Sequence, residues 1–276
     1  MLQTNENRPV LLPRISVITV VRNGKRFVGQ TIKSVLGQSY DNIEYIVIDG
    51  GSTDGTVDII RSYETGIAKW VSEKDGGIAD AFNKGFSFST GSYLLFLNAD
   101  DALANPEVIK VAAKQIVEND FPAFLYGDCD VLDRNSDRVL YRASINTSRK
   151  KILQGHMIPQ PSLFVRRFYF EKHGVFDLHF KIAMDYEWLI RGGLTERIVH
   201  VPMLVTNVRD GGISTIDRQR VVEEVISALK KNGYISSAWA ELQMRGHYAM
   251  RSLARSVLEN IGLYKVFLDL KNKPTK

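Results

Sequence analysis

Residues 43–56 read IEYIVIDGGSTDGT, an apolar run of strand length that ends in a polar, glycine-rich turn. Glycine permits backbone turns that a β-carbon hinders, and serine or threonine is a favoured helix cap. Apolar residues with helical spacing follow at Val57, Ile59 and Ile60. This order of strand, turn and helix predicts a β-α-β unit of the kind that builds a mostly parallel sheet.

The same order repeats along the first half of the chain. Strands are predicted at 15–21, 43–49, 68–72, 93–97 and 123–131, with helical patterns between them at 27–36, 57–60, 78–86 and 108–116. Right-handed crossovers place the carboxyl ends of parallel strands at one edge of a sheet, where such folds bind ligands. We therefore expect an α/β fold, with a mostly parallel central sheet flanked by helices and a polar site at that edge.

The second half is less regular. It predicts strands at 138–141, 163–165 and 205–208, a helix at 184–192, and two C-terminal helices at 217–232 and 238–270. We predict a flexible N-terminal lead at 1–13, one domain at 14–215 and a helical C-terminal extension at 216–276.

The composition limits the class of protein. With 276 residues, 44% of them hydrophobic, the chain can bury a large core, which excludes a disordered protein. The single cysteine, Cys129, excludes an intrachain disulfide and a multi-cysteine zinc site. The sequence has neither an apolar run long enough to span a membrane nor the order of a secretion signal, so we expect a cytoplasmic protein.

The positive charge is concentrated at the C-terminus. The net charge is +5, and residues 217–276 carry eleven Lys and Arg against six Asp and Glu, which accounts for all of it. The last predicted helix is amphipathic, so it can dock on the main domain, pair with a subunit, or lie on anionic lipid at the inner face of the cytoplasmic membrane. Nucleic acid is disfavoured as a partner because the aromatic residues are not interleaved with a basic strand face. The oligomeric state stays open.

Several common site motifs are absent. The sequence has no GxGxxG, GxxxxGK[ST], GxSxG or HExxH, which disfavours Rossmann dehydrogenases, P-loop NTPases, α/β-hydrolases and zinc proteases. Asp100 and Asp101 directly follow an apolar strand and offer the oxygen ligands that Mg²⁺ or Mn²⁺ takes while it also holds a phosphate. A helix cap or turn is the alternative explanation for this pair.

Four segments in the same order resemble the family 2 glycosyltransferases of GT-A fold, which invert the sugar and act in bacterial polysaccharide biosynthesis. They are ISVITVVRN at 15–23, YIVIDGGSTDGT at 45–56, DAFNKG at 80–85 and LNADD at 97–101. The resemblance continues more thinly at 175–177, 184–188 and 211–214. It covers residues 14–215 and leaves the C-terminal helices outside.

The resemblance implies an enzyme that moves a sugar from a nucleoside diphosphate sugar, UDP-linked, to a hydroxyl of a glycan or a lipid-linked acceptor. The implied cofactor is Mn²⁺ or Mg²⁺, bound by Asp100 with Asp101 beside it, and the implied catalytic base is Asp185. The implied nucleotide-binding residues are Thr19, Val21, Asn23, Asp49, Asp80, Asn83, Lys84, Ala99 and Asp100. Arg191 would assist near the phosphates or the acceptor, and Trp188 would share the helix face of Asp185.

Two positions depart from the family pattern, since Asn98 and Gly50 stand where the family often has Asp. Loss of the charge at Asn98 would weaken metal binding, and Gly50 leaves Asp49 as the only carboxylate at that strand end. Two other functions stay open: a non-catalytic module that binds sugar nucleotides or glycans, and a nucleotidyltransferase. Asp185 itself can be a helix cap rather than a base.

Overall fold

The computed structural model describes residues 12–144, 147–192, 194–212, 217–260 and 263. Strands and helices alternate through the first half of the chain as predicted. The order is β1 (Ile15–Val21), α1 (Val28–Leu36), β2 (Ile43–Asp49), α2 (Thr56–Arg61), β3 (Lys69–Ser72), α3 (Ile78–Phe88), β4 (Tyr93–Asn98), β5 (Ala102–Leu103), α4 (Val108–Glu118) and β6 (Phe124–Leu132). The second half has β7 (Val139–Ala143), α5 (Arg149–Leu153), β8 (Leu163–Arg166), α6 (Arg167–His173), α7 (Met184–Arg191), β9 (Ile198–Arg209), α8 (Arg218–Lys231) and α9 (Ala238–Asn260).

The strands form one sheet in the order β3-β2-β1-β4-β8-β6-β9-β5, with β7 paired to β6. β1 to β4 pair in parallel and β6 pairs in parallel with β9, whereas β8 runs antiparallel between β4 and β6. β5 and β7 are also antiparallel to their partners. The prediction of a mostly parallel α/β sheet is confirmed.

Helices cover both faces of the sheet, and the side chains of each strand alternate between them. In β2, Ile46 and Ile48 belong to the core cluster that contains α3, α7 and α8, whereas Tyr45 and Val47 belong to the cluster that contains α1 and α4 on the other face. Strands buried on both faces read as continuous apolar runs, which is why β1 and β2 begin and end at the predicted residues.

The last strand is longer than predicted. The sequence predicts 205–208, but β9 has twelve residues and begins at Ile198. Its first half is only partly buried and contains His200 and Pro202. No continuous apolar run therefore predicts this part of the strand. The register against β6 shifts next to this proline, which lacks the N–H that a regular ladder uses.

The two C-terminal helices differ in how they pack. α8 buries Val225, Ala228 and Leu229 in the same core cluster as α7, so the elements on the two sides of the predicted boundary after residue 215 share one core. α9 packs Met244 and Tyr248 against that core and leaves apolar side chains exposed on another side. The predicted lead lies largely outside the described residues, as does the end of the predicted last helix beyond Asn260, apart from residue 263.

None of the helices in the described ranges combines the length and the apolar character that crossing a membrane requires.

Candidate functional site

The loops that follow β1 and β2 are joined by side-chain hydrogen bonds. Asn23 takes a left-handed backbone conformation, with φ of +53°, which asparagine tolerates better than most residues. Its backbone N–H donates to Ser52 Oγ at 2.7 Å, and its Oδ1 accepts from the N–H of Thr53 at 2.9 Å. The N–H of Gly24 donates to Thr56 Oγ1 at 3.0 Å. The two loops therefore form one preordered edge of the site.

Asp49 organises the second of these loops from inside. Its carboxylate is fully buried and accepts from the N–H groups of Gly51 and Ser52 at 3.1 and 2.9 Å. The hydroxyl of Ser72 donates to the same oxygen at 2.6 Å, and that of Ser52 donates to the other oxygen. Asp49 was predicted to bind the nucleotide, but hydrogen bonds within the protein occupy both of its carboxylate oxygens in this structure.

Thr19 and Val21, predicted beside the nucleoside, are both buried. The hydroxyl of Thr19 accepts from Tyr45 Oη at 3.2 Å inside the core, so its side chain does not line an open cleft. Val21 lies at the end of β1, where the preordered loop edge begins.

The loop after β3 brings a carboxylate that the sequence did not single out. A β-carbon on Gly50 would lie 2.3 Å from Asp75 Oδ2, so glycine here leaves room for that side chain. Asp75 Oδ1 accepts from the N–H of Gly77 at 3.0 Å, and Asp80 Oδ2 accepts from Gly76 at 2.8 Å. Asp75 therefore places a carboxylate over the position where the family often carries one on residue 50.

Two residues of α3 predicted near the ribose or diphosphate have protein partners. Lys84 Nζ lies 2.6 Å from Glu73 Oε1, and this ion pair raises the pKa of Lys84. Asn83 Nδ2 donates to the carbonyl oxygen of Phe176 at 2.8 Å, and its Oδ1 accepts from the N–H of Phe176 at 2.9 Å. Asn83 thus holds the backbone of a distant segment that leads toward α7.

The segment after β4 separates the two adjacent aspartates. Asp101 is buried, and its Oδ2 accepts from Asn98 Nδ2 at 2.9 Å. Burial, together with the charge of Asp100, raises the pKa of Asp101 to about 7. Asp100 instead keeps about a third of its side chain exposed, with Arg134 Nη1 at 4.0 Å. Asp101 was predicted beside the metal as a ligand, but the structure turns it inward because Asn98 binds it.

The residues at the end of β4 fit a divalent metal ion whose ligands come partly from the protein and partly from a phosphate. Within the described ranges, no group of three or more His, Cys, Asp or Glu side chains is arranged to hold an ion alone. Mg²⁺ commonly needs only one or two protein carboxylates beside substrate phosphates and water. The exposed carboxylate of Asp100 meets that need, and Ala99 is its neighbour in the same turn, where Thr31 Oγ1 donates to the Ala99 carbonyl at 2.8 Å.

Asp185 lies on the wall of a small apolar pocket. Phe96, Phe176 and Trp188 also line this pocket, whose free interior of about 10 Å³ holds one water-sized group. Asp185 is not the helix cap, because α7 is capped at Ala183 without a side-chain hydrogen bond. Its Oδ1 accepts from the next N–H, at 2.8 Å. Burial raises the pKa of Asp185 to about 6, the kind of shift that marks functional carboxylates.

The other charged residues of α7 are structural. Glu187 is fully buried and pairs with Arg191, whose Nε lies 3.2 Å from Glu187 Oε1. Arg191 Nη1 also donates to the carbonyl oxygens of His173 and Val175 at 2.9 and 2.8 Å. Arg191, predicted near phosphate or acceptor, is therefore occupied by the protein. Trp188 lines the same pocket as Asp185. Its side chain is buried, and its Nε1 donates to a backbone carbonyl oxygen at 2.8 Å.

A comparison with known protein families decides the class of this chain. The model described as glycosyl transferase family 2 matches residues 16–174, which is more than half of the sequence. The chain belongs to glycosyl transferase family 2. This membership selects glycosyl transfer over the two other functions that the sequence left open. Asp185 and α7 lie beyond the matched residues of this glycosyltransferase.

Relatives and solved structures agree with this family. A glycosyltransferase of Mycobacterium tuberculosis, uncharacterized, is 38% identical over 186 residues, which cover 66% of this chain and 70% of that protein. A PGL/p-HBAD biosynthesis glycosyltransferase of Mycobacterium bovis is 28% identical over 211 residues, 74% of this chain and 80% of that one.

Two solved structures share the GT-A fold of this glycosyltransferase. Residues 1–349 of S. aureus TarS superpose with a TM-score of 0.62 at 20% identity, over 88% of this chain and 73% of that one. The mannosyltransferase PcManGT of Pyrobaculum calidifontis, in complex with GDP-Man and Mn²⁺, gives 0.62 at 17% identity, over 95% of this chain and 88% of that one. The fold class predicted from sequence is therefore confirmed.

Sequence reasoning missed three residues at this edge of the glycosyltransferase. Asp75 fills the space above Gly50, Arg134 approaches Asp100, and Glu224 on α8 binds the backbone before α7. Each meets its partner across a long separation in the chain, so no local pattern shows it. The charged run EKDGG at 73–77, directly after β3, was the one available signal.

Proposed function

We propose that this enzyme transfers a sugar from a nucleoside diphosphate sugar to an acceptor hydroxyl with inversion at the anomeric carbon. The observation that carries this proposal is Asp185, a partly exposed carboxylate in an apolar pocket whose pKa burial raises to about 6. A carboxylate in that range accepts a proton more readily than an ordinary one and still stays ionised at neutral pH.

The chain's own residues divide the work in this proposal. Asp185 takes the proton of the acceptor hydroxyl while the hydroxyl oxygen attacks the anomeric carbon. The bond to the diphosphate breaks, and its electron pair leaves with the diphosphate, so one displacement inverts the sugar. Asp100 would hold a divalent metal, Mn²⁺ or Mg²⁺, which supplies Lewis-acid neutralisation of the departing charge. Lys84, which pairs with Glu73, and Arg134, which lies 4.0 Å from Asp100, are two cations near this edge.

The donor would bind along the joined loops after β1 and β2. Asn23 and the turn that Asp49 orders from inside would contact the nucleoside, and Asp80 would face the ribose. We propose a UDP-linked donor, supported by TarS, which has been solved with UDP and with UDP-GlcNAc. The structural neighbour PcManGT carries GDP-Man instead, so a nucleotide panel is the direct test.

That test measures thermal stability with nucleoside diphosphates and nucleotide sugars, with and without Mn²⁺. A ligand at a hundred times its Kd stabilises the folded state by about 2.7 kcal/mol. We expect one nucleotide to raise the Tm of the wild type only when Mn²⁺ is present. In Asp100→Asn we expect this rise in Tm with Mn²⁺ to be lost. Asp58→Asn, an exposed aspartate on α2, is the control. Equal stabilisation without metal and in Asp100→Asn would refute this metal assignment.

We propose that the acceptor is a glycan or a lipid-linked glycan at the inner face of the cytoplasmic membrane. The relative from Mycobacterium bovis, named for PGL/p-HBAD biosynthesis, supports an acceptor that belongs to a biosynthetic route. α9 supports it further, because Trp239, Leu242, Met250 and Leu253 are each more than half exposed. Their spacings of three, eight and three residues keep them on one side of a helix, as in interfacial helices.

Co-sedimentation with anionic vesicles at low salt tests this surface. We expect the wild type to pellet and the double variant Leu242→Ser/Leu253→Ser to stay in the supernatant with its Tm unchanged. Val139→Ser, an exposed apolar residue on β7, should pellet like the wild type. If the wild type also stays in solution, the membrane proposal is wrong, whereas sugar transfer is unaffected.

A further inference from the structure

One carboxylate on α8 binds the chain just before the helix that carries Asp185. The carboxylate of Glu224 accepts hydrogen bonds from three successive backbone N–H groups, those of Lys181, Ile182 and Ala183, at 3.0, 2.8 and 2.9 Å. Arg220 Nε donates to it at 3.0 Å and fixes it from its own helix. A carboxylate with this many donors stays ionised and is held in one position.

A second residue of α8 forms ion pairs with residues before and after the 181–183 backbone. Lys231 Nζ lies 2.6 Å from Asp177 Oδ2 and 3.0 Å from Glu187 Oε1. Asn83 holds the backbone of Phe176 from the opposite direction, on α3. The segment from 176 to 187, with Asp185 inside it, is therefore fixed at four points that belong to helices elsewhere in the chain.

The negative charge of Glu224 also acts on Asp185. Burial is the first cause of the raised pKa of Asp185, and the negative charge of Glu224 adds to it. Although burial raises its own pKa, the hydrogen bonds from 181–183 keep the pKa of Glu224 below its ordinary value, so it is charged at neutral pH. Apart from Asp185, the described residues that line the pocket are apolar or, as Gln160, neutral.

We propose that Glu224 is a positioning residue for sugar transfer, which fixes the backbone at 181–183 and so places Asp185 at the pocket. This rests on the function proposed above, in which Asp185 is the base. It assigns a role in the reaction to α8, a helix that lies outside the residues matched by the family model.

The test compares Glu224→Gln with Glu223→Gln. The second variant makes the same change of charge at the neighbouring exposed position, where the side chain accepts from Gln219 at 3.2 Å. For Glu224→Gln we expect kcat to fall about ten- to a hundredfold while KM for the donor stays within about twofold, as for a misplaced reacting group. The acid limb of its pH profile should move to lower pH, and hydrogen exchange at 181–183 should become faster.

Glu224→Asp separates charge from reach. It keeps the negative charge on a shorter side chain, so we expect the acid limb to stay nearer to that of the wild type while kcat falls. Glu223→Gln should leave kcat, the acid limb and exchange unchanged.

If the wild type is active, three results would overturn the proposal. Wild-type kcat in Glu224→Gln would show that the contact does not matter for transfer, and unchanged exchange at 181–183 would show that it does not hold the loop. A loss of activity that only parallels a lower Tm would show a purely structural role. If the wild type transfers no sugar at all, the proposed function fails, but the role of Glu224 can still be tested by an NMR titration of Asp185. An identical titration midpoint for Asp185 in the wild type and in Glu224→Gln would contradict the inference.

Discussion

The pH dependence of transfer is the sharpest prediction from the pocket around Asp185. The base acts in its ionised form, so activity is present above its pKa and is lost as pH falls through that value. With a pKa of about 6, about one molecule in eleven has the ionised base at pH 5, which predicts a kcat about tenfold below the plateau at pH 8. An aspartate with the ordinary value of 3.8 would lose less than about a tenth at the same pH.

The assay follows release of the nucleoside diphosphate between pH 5 and 8, at saturating donor and metal. Donor KM and the nucleotide-induced rise in Tm are measured over the same range, which separates titration of the chemical step from titration of donor binding. Asp185→Asn should abolish transfer and leave the rise in Tm near that of the wild type. A kcat that is flat down to pH 5, or turnover retained in Asp185→Asn, would refute the role of this carboxylate as the base.

Two further predictions concern residues that position the site. Asn83→Ala removes both hydrogen bonds to the backbone of Phe176 and should cost about 2–3 kcal/mol in denaturant unfolding, since the buried partner groups lose their donor and acceptor. Ser87→Ala, exposed on the same helix, should change stability by less than about 0.5 kcal/mol. Asn98→Asp replaces a hydrogen bond to Asp101 with a second carboxylate, so we expect a lower Tm without metal and a larger rise in Tm with Mn²⁺ than in the wild type; equal rises would contradict this.

The fold was predictable because its information is local. β1 and β2 end where polar turns interrupt apolar runs, and α3 and α4 start at the predicted residues. The full length of strand β9 was not predictable. Its first half is only partly buried, without an alternation of buried and exposed residues, and it carries a proline.

The sequence could assign the candidate site to one edge of the sheet but could not predict its contacts. A sequence pattern places Asp100 and Asp101 together after a strand, yet only the fold decides that one faces the surface while the other binds Asn98. Thr19 sits in a strand that is buried on both faces, so its polar side chain does not indicate an exposed position. Glu224 meets the backbone of residue 182 across 42 positions, beyond the reach of any helical or strand period.

The docking of α8 against α7 sets an order for synthesis. Chains fold from the N-terminus as they leave the ribosome, so the sheet and the donor loops can assemble while the last helices are still being made. The hydrogen bonds to 181–183 wait for Glu224, and those to Asp177 and Glu187 wait for Lys231. A nascent chain would therefore form the loops proposed to bind the donor before the proposed base is held in place, and it would become competent for transfer only after α8 has been made.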